Sequence, residues 1–352
     1  MLLSLVTLIA SAAGYTVASP ARHATRASNA VRTIYQFPEN TFVENLAVRS
    51  NGQLLVDVLT APQLWLIDPI VPGQAILVHE FAGAQGVGGI VEYQPDVFAV
   101  LAGNVSLTTG QGTVGSWSVW SVDLAGADVT SNASIAANPP TVSKIADMPA
   151  AQLPNGMDLF SSDDNQLLIV GDFNTGLIYS VDIETGDYAL TINNTYTAPA
   201  AVYGFGTAAT DGIKVVDDML YFTNLGQGKL YRVPLNTADG TPAGDFETVA
   251  TISSSLDQWD DFTFDSDGNV FVVAGGANTV EKINVSTGKV THVAGNLNST
   301  AIAEPTAAKF GRRSNDSNVL YVTTAGGLFA PVNGDTTVGG QVVAISTGSK
   351  GC

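Results

Sequence analysis

The chain has 352 residues, of which 14 are Lys or Arg and 32 are Asp or Glu, so its formal net charge is −18. A protein this acidic is poorly suited to neutralising phosphates, and nucleic acid is therefore not an expected partner. Hydrophobic residues make up 45% of the chain and charged residues 13%, which excludes a disordered protein and is ample for a large core.

The amino-terminal residues are expected to direct the protein to the secretory pathway and not to form part of the folded domain. Residues 1–19 are apolar and uncharged and end in Val17-Ala18-Ser19, which predicts a secretory signal peptide, and residues 20–30 are expected to be a flexible lead-in. No later apolar run is long enough to span a membrane. We therefore expect a protein that is secreted or resides in the endomembrane lumen. We also expect it to be a monomer. Six N-x-S/T sequons agree with N-glycosylation there, at Asn104, Asn132, Asn193, Asn284, Asn298 and Asn315.

Short apolar runs of strand length, separated by turn residues, fill the rest of the chain and predict an all-β protein. Sustained helical periodicity is absent from the sequence. The runs lie at residues 53–59, 63–68, 97–103, 166–172, 177–183, 219–225, 229–235, 269–275 and 319–325.

These runs repeat with a period of about 50 residues, the signature of a β-propeller. Similar turns recur within the repeat, as in Asp182 to Gly186 and Asn284 to Gly288. A second turn precedes the aligned strands, as in Ser50-Asn51-Gly52 and Asp267-Gly268-Asn269. Two fixed turns flanking strands in each unit predict blades of four antiparallel strands. From residue 31 to residue 350 the period gives one six-bladed β-propeller, closed by residues 31–37 as the outer strand of the last blade. The aligned apolar pairs are Leu54-Leu55, Val97-Phe98, Leu167-Leu168, Leu220-Tyr221, Val270-Phe271 and Leu320-Tyr321.

The segments that precede the first strand of each blade are the expected site of function. Blades can bury their faces only against neighbours, so the first strands all start around one central channel. Five of these six segments carry Asn, Asp or Glu just before an apolar strand. Turn chemistry explains any one of them equally well, but their convergence on one channel mouth favours a functional site. The segments are residues 43–46, 88–92, 153–156, 209–212, 258–261 and 304–306.

These segments resemble the regucalcin, gluconolactonase and luciferin-regenerating enzyme superfamily of six-bladed propellers over about residues 31–350. The resemblance lies in E-N-L-A-V (44–48), L-P-N-G-M (153–157), D-G-I-K-V (211–215), L-Y-F-T-N (220–224) and D-D-F-T-F-D-S-D-G-N (260–269). It implies one divalent cation, usually calcium, whose ligands would be Glu44, Asn155, Asp211 and Asp261. All four offer hard oxygen atoms, which suit Ca²⁺ or Mg²⁺. The sequence departs from the family at Asn45, where Gly is usual, and at Asp211, where Asn is usual.

The stretch from Phe37 to Thr41, together with Asp260-Asp261-Phe262, is similar to a secreted fungal branch of this superfamily. That branch acts in secondary-metabolite pathways and includes hetero-Diels–Alderases of tropolonic sesquiterpenoid biosynthesis. The similarity implies an enzyme for an apolar small molecule that needs no cofactor. It would dehydrate a benzylic alcohol to a quinone methide and steer the cycloaddition of that species to a humulene-type terpene.

On this reading a carboxylic acid assists the loss of hydroxide from the alcohol, and hydrogen-bond donors stabilise the quinone-methide oxygen. An apolar pocket excludes water and holds the two reactants in register. The expected acids are Glu44, Asp211, Asp260 and Asp261, and the expected substrate-binding residues are Asn155, Trp259, Tyr203, Phe205 and Thr306.

Two other functions stay open from the sequence. The first is a metal-dependent lactone hydrolase, in which the cation polarises the lactone carbonyl and Asp211 or Asp261 acts as general base. The second is a propeller that binds a partner without catalysis. The channel mouth discriminates between the classes, because an enzyme has a deep pocket with convergent carboxylates and an interaction platform has a broad, flat apolar patch.

Overall fold

The computed structural model of the protein describes residues 29–127, 129, 138–161, 166–202 and 206–351. The expected signal peptide and most of the expected lead-in lie outside these residues. So do the candidate wall residues Tyr203 and Phe205 and the sequon residue Asn132. Within the described part of the chain, no helix has the length and apolarity needed to cross a bilayer.

The described strands form six four-stranded antiparallel sheets. The first strand, β1 (Val31–Gln36), precedes all the blades. Blade 1 contains β2 (Val43–Val48), β3 (Leu54–Val58), β4 (Gln63–Ile67) and β5 (Ile76–Glu80). Blade 2 contains β6 (Gly86–Gln94), β7 (Val97–Gly103), β10 (Ser118–Asp123) and β11 (Thr141–Asp147), with a small hairpin of β8 (Val105–Ser106) and β9 (Gln111–Gly112) inserted. Blade 3 contains β12 (Pro154–Ser161), β13 (Gln166–Asp172), β14 (Ile178–Asp182) and β15 (Tyr188–Ile192).

A second small hairpin, β16 (Ala200–Val202) and β17 (Gly206–Ala208), links blades 3 and 4. Blade 4 contains β18 (Thr210–Val216), β19 (Met219–Asn224), β20 (Lys229–Pro234) and β21 (Glu247–Thr251). Blade 5 contains β22 (Trp259–Phe264), β23 (Val270–Ala274), β24 (Thr279–Asn284) and β25 (Lys289–Gly295). After a 3₁₀ turn (Thr300–Ile302), blade 6 contains β26 (Pro305–Phe310), β27 (Val319–Thr324) and β28 (Gln341–Ser346), completed by β1. The all-β, six-bladed prediction is confirmed.

Both ends of the chain build blade 6. Strand β1 pairs antiparallel with β28, so that Val31 lies opposite Ile345 and Gln36 opposite Gln341. Hydrogen bonds between the two ends therefore close the ring, as the sequence period predicted. The aligned apolar pairs all fall on the second strand of a blade, namely on β3, β7, β13, β19, β23 and β27.

Burial decreases from the channel to the rim of each blade, which explains the sequence pattern. The second strands β3 and β23 are buried along their whole length; β23 is a continuous apolar run, and β3 is apolar except for Asp57. The outer strands β15 and β25 are exposed or half-buried at all but one position each and mix polar with apolar residues. Turns between the third and fourth strands use side-chain acceptors: Asp182 accepts from the backbone N–H of Thr185, and Asn284 accepts from that of Thr287.

Every innermost strand has a register irregularity close to its start. The shifts fall between Val43 and Leu46, Val87 and Gly89, Pro154 and Met157, Thr210 and Ile213, Trp259 and Phe262, and Pro305 and Ala307. Such an irregularity interrupts the strict alternation of side chains and re-aims those next to it. Six equivalent irregularities therefore surround the channel at the level where the polar residues lie.

The closing strand should contribute strongly to stability because Ile34 is buried between the two ends of the chain. The substitution Ile34→Ala should lower the free energy of unfolding by about 2–5 kcal/mol, as other changes of buried Ile to Ala do. Denaturant titration measures this. The exposed neighbour on the same strand gives the control: Thr33→Ala should change stability by less than about 0.5 kcal/mol. Equal effects of the two changes would show that strand β1 does not hold the ring closed.

Candidate functional site

A cavity of about 440 Å³ opens where the innermost strands begin. Its walls are largely apolar and come from several blades and their loops. The ring of Phe42 lies 5.6 Å from that of Phe329, joining blade 1 to the loop of blade 6. This is a concave pocket of small-molecule size, which favours an enzyme or a small-molecule binder over a flat interaction platform. The wall includes Phe42, Leu59, Leu107, Leu153, Phe173, Leu225 and Phe329.

Three carboxyl groups form the polar floor of this cavity, and we call them the acidic triad: Glu44, Asp211 and Asp260. Each is the second residue of an innermost strand, namely β2, β18 and β22. One carboxylate oxygen of each lies within 4.8 Å of one from each of the others. Glu44 and Asp211 are buried, and Asp260 is half-buried.

Hydrogen bonds orient Glu44 but leave part of the triad unsatisfied. Asn155 donates its side-chain amide to Oε1 of Glu44 over 2.8 Å. Asn45 in turn donates to Oδ1 of Asn155 over 3.2 Å and to the carbonyl of Gly88 over 3.1 Å. The Oδ1 atoms of Asp211 and Asp260 are both buried without a hydrogen-bond partner. Buried acceptors in this state demand either a proton on a neighbouring carboxyl group or a cation.

Burial and mutual repulsion raise the pKa values of the whole triad. The pKa of Glu44 rises to about 8, chiefly because burial removes the carboxylate from water, with added repulsion from Asp261 and Glu304. The pKa values of Asp211 and Asp260 also rise well above their ordinary range, again through burial first and the neighbouring carboxylates second. In the absence of a bound cation, protons therefore reside on the triad at neutral pH.

Close approach between neighbouring innermost strands explains the glycines that follow Asn155 and Asp211. A Cβ atom on Gly156 would collide with the carbonyl oxygen of Asp211, and one on Gly212 would lie 2.7 Å from the Cα of Asp261. The Asn-Gly and Asp-Gly pairs therefore allow the innermost strands to pack closely at the channel. Gly156 contacts Asp211 of the next blade, and Gly212 contacts Asp261 of the blade after it.

A fourth acid, Glu304, holds part of the cavity wall. It is buried, and its Oε2 accepts from the backbone N–H of Phe329 over 3.0 Å, with further backbone donors at Leu328 and Ala330. Burial raises its pKa to about 7. Its backbone is left-handed, with φ of 53°, as are those of the wall residues Gln258 and Asn278. Backbone strain of this kind is common at functional sites.

Solved structures of this architecture exist in several enzymes and binding proteins. The luciferin-regenerating enzyme superposes with a TM-score of 0.64 at 14% identity, covering 92% of this chain and 97% of the other. The calcium-binding protein regucalcin from Agrobacterium tumefaciens gives 0.61 at 15% identity, covering 92% and 96%. A proposed gluconolactonase gives 0.57 at 13% identity, covering 92% and 94%.

The chain has the six-bladed propeller fold seen in the luciferin-regenerating enzyme, regucalcin and proposed gluconolactonase structures. No protein-family model matches this propeller. Its sequence is 28% identical over 312 residues to a proposed hetero-Diels–Alderase of a Phoma species, covering 83% of this chain and 86% of the other. It is 27% identical over 358 residues to a proposed hetero-Diels–Alderase of Sarocladium schorii, covering 90% and 83%.

The propeller brings together most of the residues that the sequence singled out, with two exceptions. Glu44, Asn155, Asp211, Asp260 and Thr306 all line the cavity. Asp261, expected as a metal ligand or acid, lies beside the triad but is turned to Lys214, whose Nζ is 2.6 Å from its Oδ1. Trp259, expected as a cavity wall, is buried in the core between blades 4 and 5, where its indole N–H donates to Glu281 over 2.7 Å. The register shift between Trp259 and Phe262 accounts for both placements.

The described sequon residues differ in accessibility. Asn193, Asn298 and Asn315 are exposed, and Asn298 lies at the cavity mouth. Asn104 and Asn284 are half-buried, and the side chain of Asn284 is engaged in the turn before β25.

Several residues in or next to the cavity were not identified from the sequence. The phenylalanines Phe42 and Phe329 come from loops 287 residues apart in the sequence, so no local pattern marks them. Asp57 on β3 is buried beside Glu44, and its Oδ2 has no hydrogen-bond partner. Asp57 could have been identified as an acidic residue inside an otherwise apolar strand, because such a residue usually has a buried partner or a functional role.

The triad fits a divalent cation by the chemistry of its donors. Two unpartnered carboxylate oxygens, on Asp211 and Asp260, face the third acid at distances that one ion can bridge. The amide of Asn155 presents its NH₂ to Glu44, so only the opposite amide orientation would add a fourth oxygen to the set.

Stability should fall as the pH rises from about 5 to about 8.5 in a chelator-treated sample. Glu44, with its pKa raised to about 8, and Glu304, with its pKa raised to about 7, bind protons more tightly when folded than when unfolded. Their stabilising contribution is complete below the unfolded pKa and is lost as the pH passes the folded value. Denaturant titration along this pH range measures the slope.

Glu44→Gln should flatten this slope, because the amide carries no charge at any of these pH values. Between pH 5 and the upper end of the range, the free energy of unfolding of the natural chain should therefore fall by on the order of 1–3 kcal/mol more than that of the variant. The exposed Glu184 gives the matched control, and Glu184→Gln should leave the slope unchanged. A slope that Glu44→Gln does not alter would mean that Glu44 is ionised throughout.

Proposed function

We propose that this propeller is an enzyme of the hetero-Diels–Alderase type. It would dehydrate a benzylic alcohol to a quinone methide and guide the cycloaddition of that species to a humulene-type terpene. The observation that carries the proposal is a triad of proton-holding carboxyl groups at the floor of an apolar cavity. The similarity to the two proposed hetero-Diels–Alderases supports the same reaction class.

The triad supplies the acid for the dehydration. A neutral carboxyl group of Glu44, Asp211 or Asp260 donates its proton to the hydroxyl of the alcohol, the C–O bond breaks, and water leaves. The ring hydroxyl of the substrate then gives up its proton to the carboxylate just formed, which restores the acid and leaves the quinone methide. A raised pKa suits this task, because the acid must still hold its proton near neutral pH.

The apolar wall supplies the control of the cycloaddition. The new C–C and C–O bonds form between two neutral reactants, so the protein gains little from charge stabilisation and most from holding them in register. Excluding water also prevents hydration of the quinone methide. The aromatic pair Phe42 and Phe329 is suited to hold a flat ring system against the triad.

We also propose that the reaction takes place in the secretory pathway or outside the cell. The apolar residues 1–19 and the exposure of Asn193, Asn298 and Asn315 support this. A change of electrophoretic mobility after endoglycosidase treatment of the protein from its natural host tests it. An unchanged mobility together with an intact amino terminus would contradict secretion.

Removing the acid should remove the dehydration. In Glu44→Gln, Asp211→Asn and Asp260→Asn we expect formation of the adduct from a hydroxymethyl-tropolone and humulenol to slow on the order of 10²-fold or more. Chiral chromatography of the product measures both rate and stereochemistry. A chelator should leave the natural enzyme unaffected.

The exposed variant Glu184→Gln controls for general effects of removing a carboxylate, and it should retain full activity. The proposal would be contradicted if the natural protein formed the adduct no faster than buffer alone does. It would also be contradicted if the natural protein gave a racemic adduct. Full activity in all three triad variants would remove the carboxyl groups from the mechanism.

A second candidate function is a divalent-metal-dependent lactone hydrolase. The unpartnered oxygens of Asp211 and Asp260 favour it, because a cation would satisfy both. Glu44, Asp211 and Asp260 would hold the ion, which when bound would polarise a lactone carbonyl.

Calcium should discriminate between the two candidates. Under the lactonase reading, millimolar Ca²⁺ should raise the Tm at pH 8, and Asp211→Asn should abolish most of that rise, because binding to the folded state alone stabilises it. Isothermal titration calorimetry of the chelator-treated protein measures the affinity directly. A Tm unaffected by Ca²⁺ or Mg²⁺, with no opening of aldonolactones, would exclude the metal-dependent reading.

A further inference from the structure

Two asparagine side chains connect the acidic triad to the backbone of blade 2. Asn45 on β2 is buried, and its Nδ2 donates to the carbonyl of Gly88 over 3.1 Å and to Oδ1 of Asn155 over 3.2 Å. Asn155 on β12 lines the cavity, and its own Nδ2 donates to Oε1 of Glu44 over 2.8 Å. Neither the proposed dehydration nor the lactonase alternative gives Asn45 a role.

The carbonyl of Gly88 fixes the orientation of both amides. A backbone carbonyl accepts hydrogen bonds and cannot donate one, so the NH₂ group of Asn45 and not its oxygen must face Gly88. The same NH₂ group also faces Asn155, which must therefore present its oxygen to it. This leaves the NH₂ group of Asn155 for Glu44, which accepts in either protonation state. One main-chain acceptor thus sets the direction of the whole chain of hydrogen bonds.

The backbones that carry the two amides are held in place as well. The backbone N–H of Asn45 donates to Oδ1 of Asp57 over 2.8 Å. Next to Gly88, a Cβ atom on Gly89 would lie 2.3 Å from the carbonyl oxygen of Asn155, so β6 and β12 are in close contact here. The two amides therefore have little freedom to move apart.

Asn45 opposes any reversal of the Asn155 amide. If Asn155 alone turned its oxygen toward the triad, its NH₂ group would face that of Asn45, and its hydrogen bonds to both neighbours would be lost. If Asn45 turned as well, its oxygen would face the carbonyl oxygen of Gly88, and two acceptors repel each other. Either change leaves buried polar groups without a partner, which is costly.

We propose that Asn45 is a positioning residue that selects against a divalent cation at the acidic triad by holding Asn155 as a hydrogen-bond donor. Ca²⁺ takes about six to eight oxygen ligands, so an NH₂ group in place of a ligand oxygen weakens its binding. The same donor suits a site that holds protons and the oxygen atoms of a substrate. The inference rests on the proposed function only in taking the triad as the reaction site.

Calorimetric titration of the chelator-treated full chain with CaCl₂ at pH 8 tests this. In Asn45→Ala, water next to Asn155 donates or accepts equally well, so Asn155 is free to turn its oxygen to the ion. Ca²⁺ should therefore bind Asn45→Ala on the order of 10-fold more tightly than the natural chain. In the matched control, Asn224→Ala removes a buried asparagine whose NH₂ also donates to two carbonyl groups, those of Tyr196 and Ala198, and the affinity should not change.

A double-mutant cycle separates positioning from a general effect on the site. Asn155→Ala removes the oxygen that Asn45 turns away, so adding Asn45→Ala to it should no longer raise the affinity for Ca²⁺. A gain that persists without Asn155 would overturn the proposal. Equal affinities of Asn45→Ala and the natural chain would also overturn it, as would the absence of binding to Asn45→Ala at millimolar CaCl₂.

If Asn45→Ala does not fold, neutron diffraction from crystals of the natural protein grown without calcium decides the outcome, because it locates the deuterium atoms of both amides. The Asn155 nitrogen with its deuterium atoms should face Glu44, and an oxygen in that position would overturn the proposal. None of these measurements depends on formation of the adduct. Failure of the proposed function would therefore appear as a missing adduct, with the calcium affinities and amide orientations as expected here.

Discussion

Crowding of Glu44, Asp211 and Asp260 at the bottom of an apolar cavity is the constraint from which the chemistry of this propeller follows. A carboxylate loses several kcal/mol of hydration when it is buried, and a second one nearby adds repulsion. The fold can hold three such groups only if protons or a cation remove most of their charge. Protons make the site an acid suited to dehydration, and a cation makes it a Lewis acid suited to ester chemistry. For the function that we propose, the apolar wall favours the first, because a large uncharged reactant fits it better than a sugar lactone does.

The geometry of the triad rests on features of the backbone that repeat from blade to blade. Each innermost strand has an irregularity at its start, which turns the second residue toward the channel. The strands then approach so closely that Gly156 and Gly212 leave room only for the backbone of the next blade. The packing of four-stranded blades in a ring therefore brings the carboxyl groups of the triad together and also fixes their positions. Loops such as the one held by Glu304 only complete the wall.

This division explains how much the sequence could predict. The six blades, the closing strand and the channel-facing Glu44, Asn155 and Asp211 follow from a period of about 50 residues and from the start of each first strand. The choice between Asp260 and Asp261 does not, because a register shift decides which of two adjacent carboxylates faces the cavity. The same shift sends Trp259 into the core. The aromatic wall was also out of reach, since Phe42 and Phe329 meet only after the ring has closed.

The ion pair of Lys214 with Asp261 lies beside the acidic triad and acts on it in two opposite ways. Burial is the main cause of the raised pKa values of Glu44, Asp211 and Asp260, and the charge of Asp261 adds repulsion to it. The charge of Lys214 partly offsets this effect at Asp211. A buried ion pair is a weak source of stability, but here it places a compensating positive charge next to crowded acids and so limits how much of their charge protons or a cation must remove.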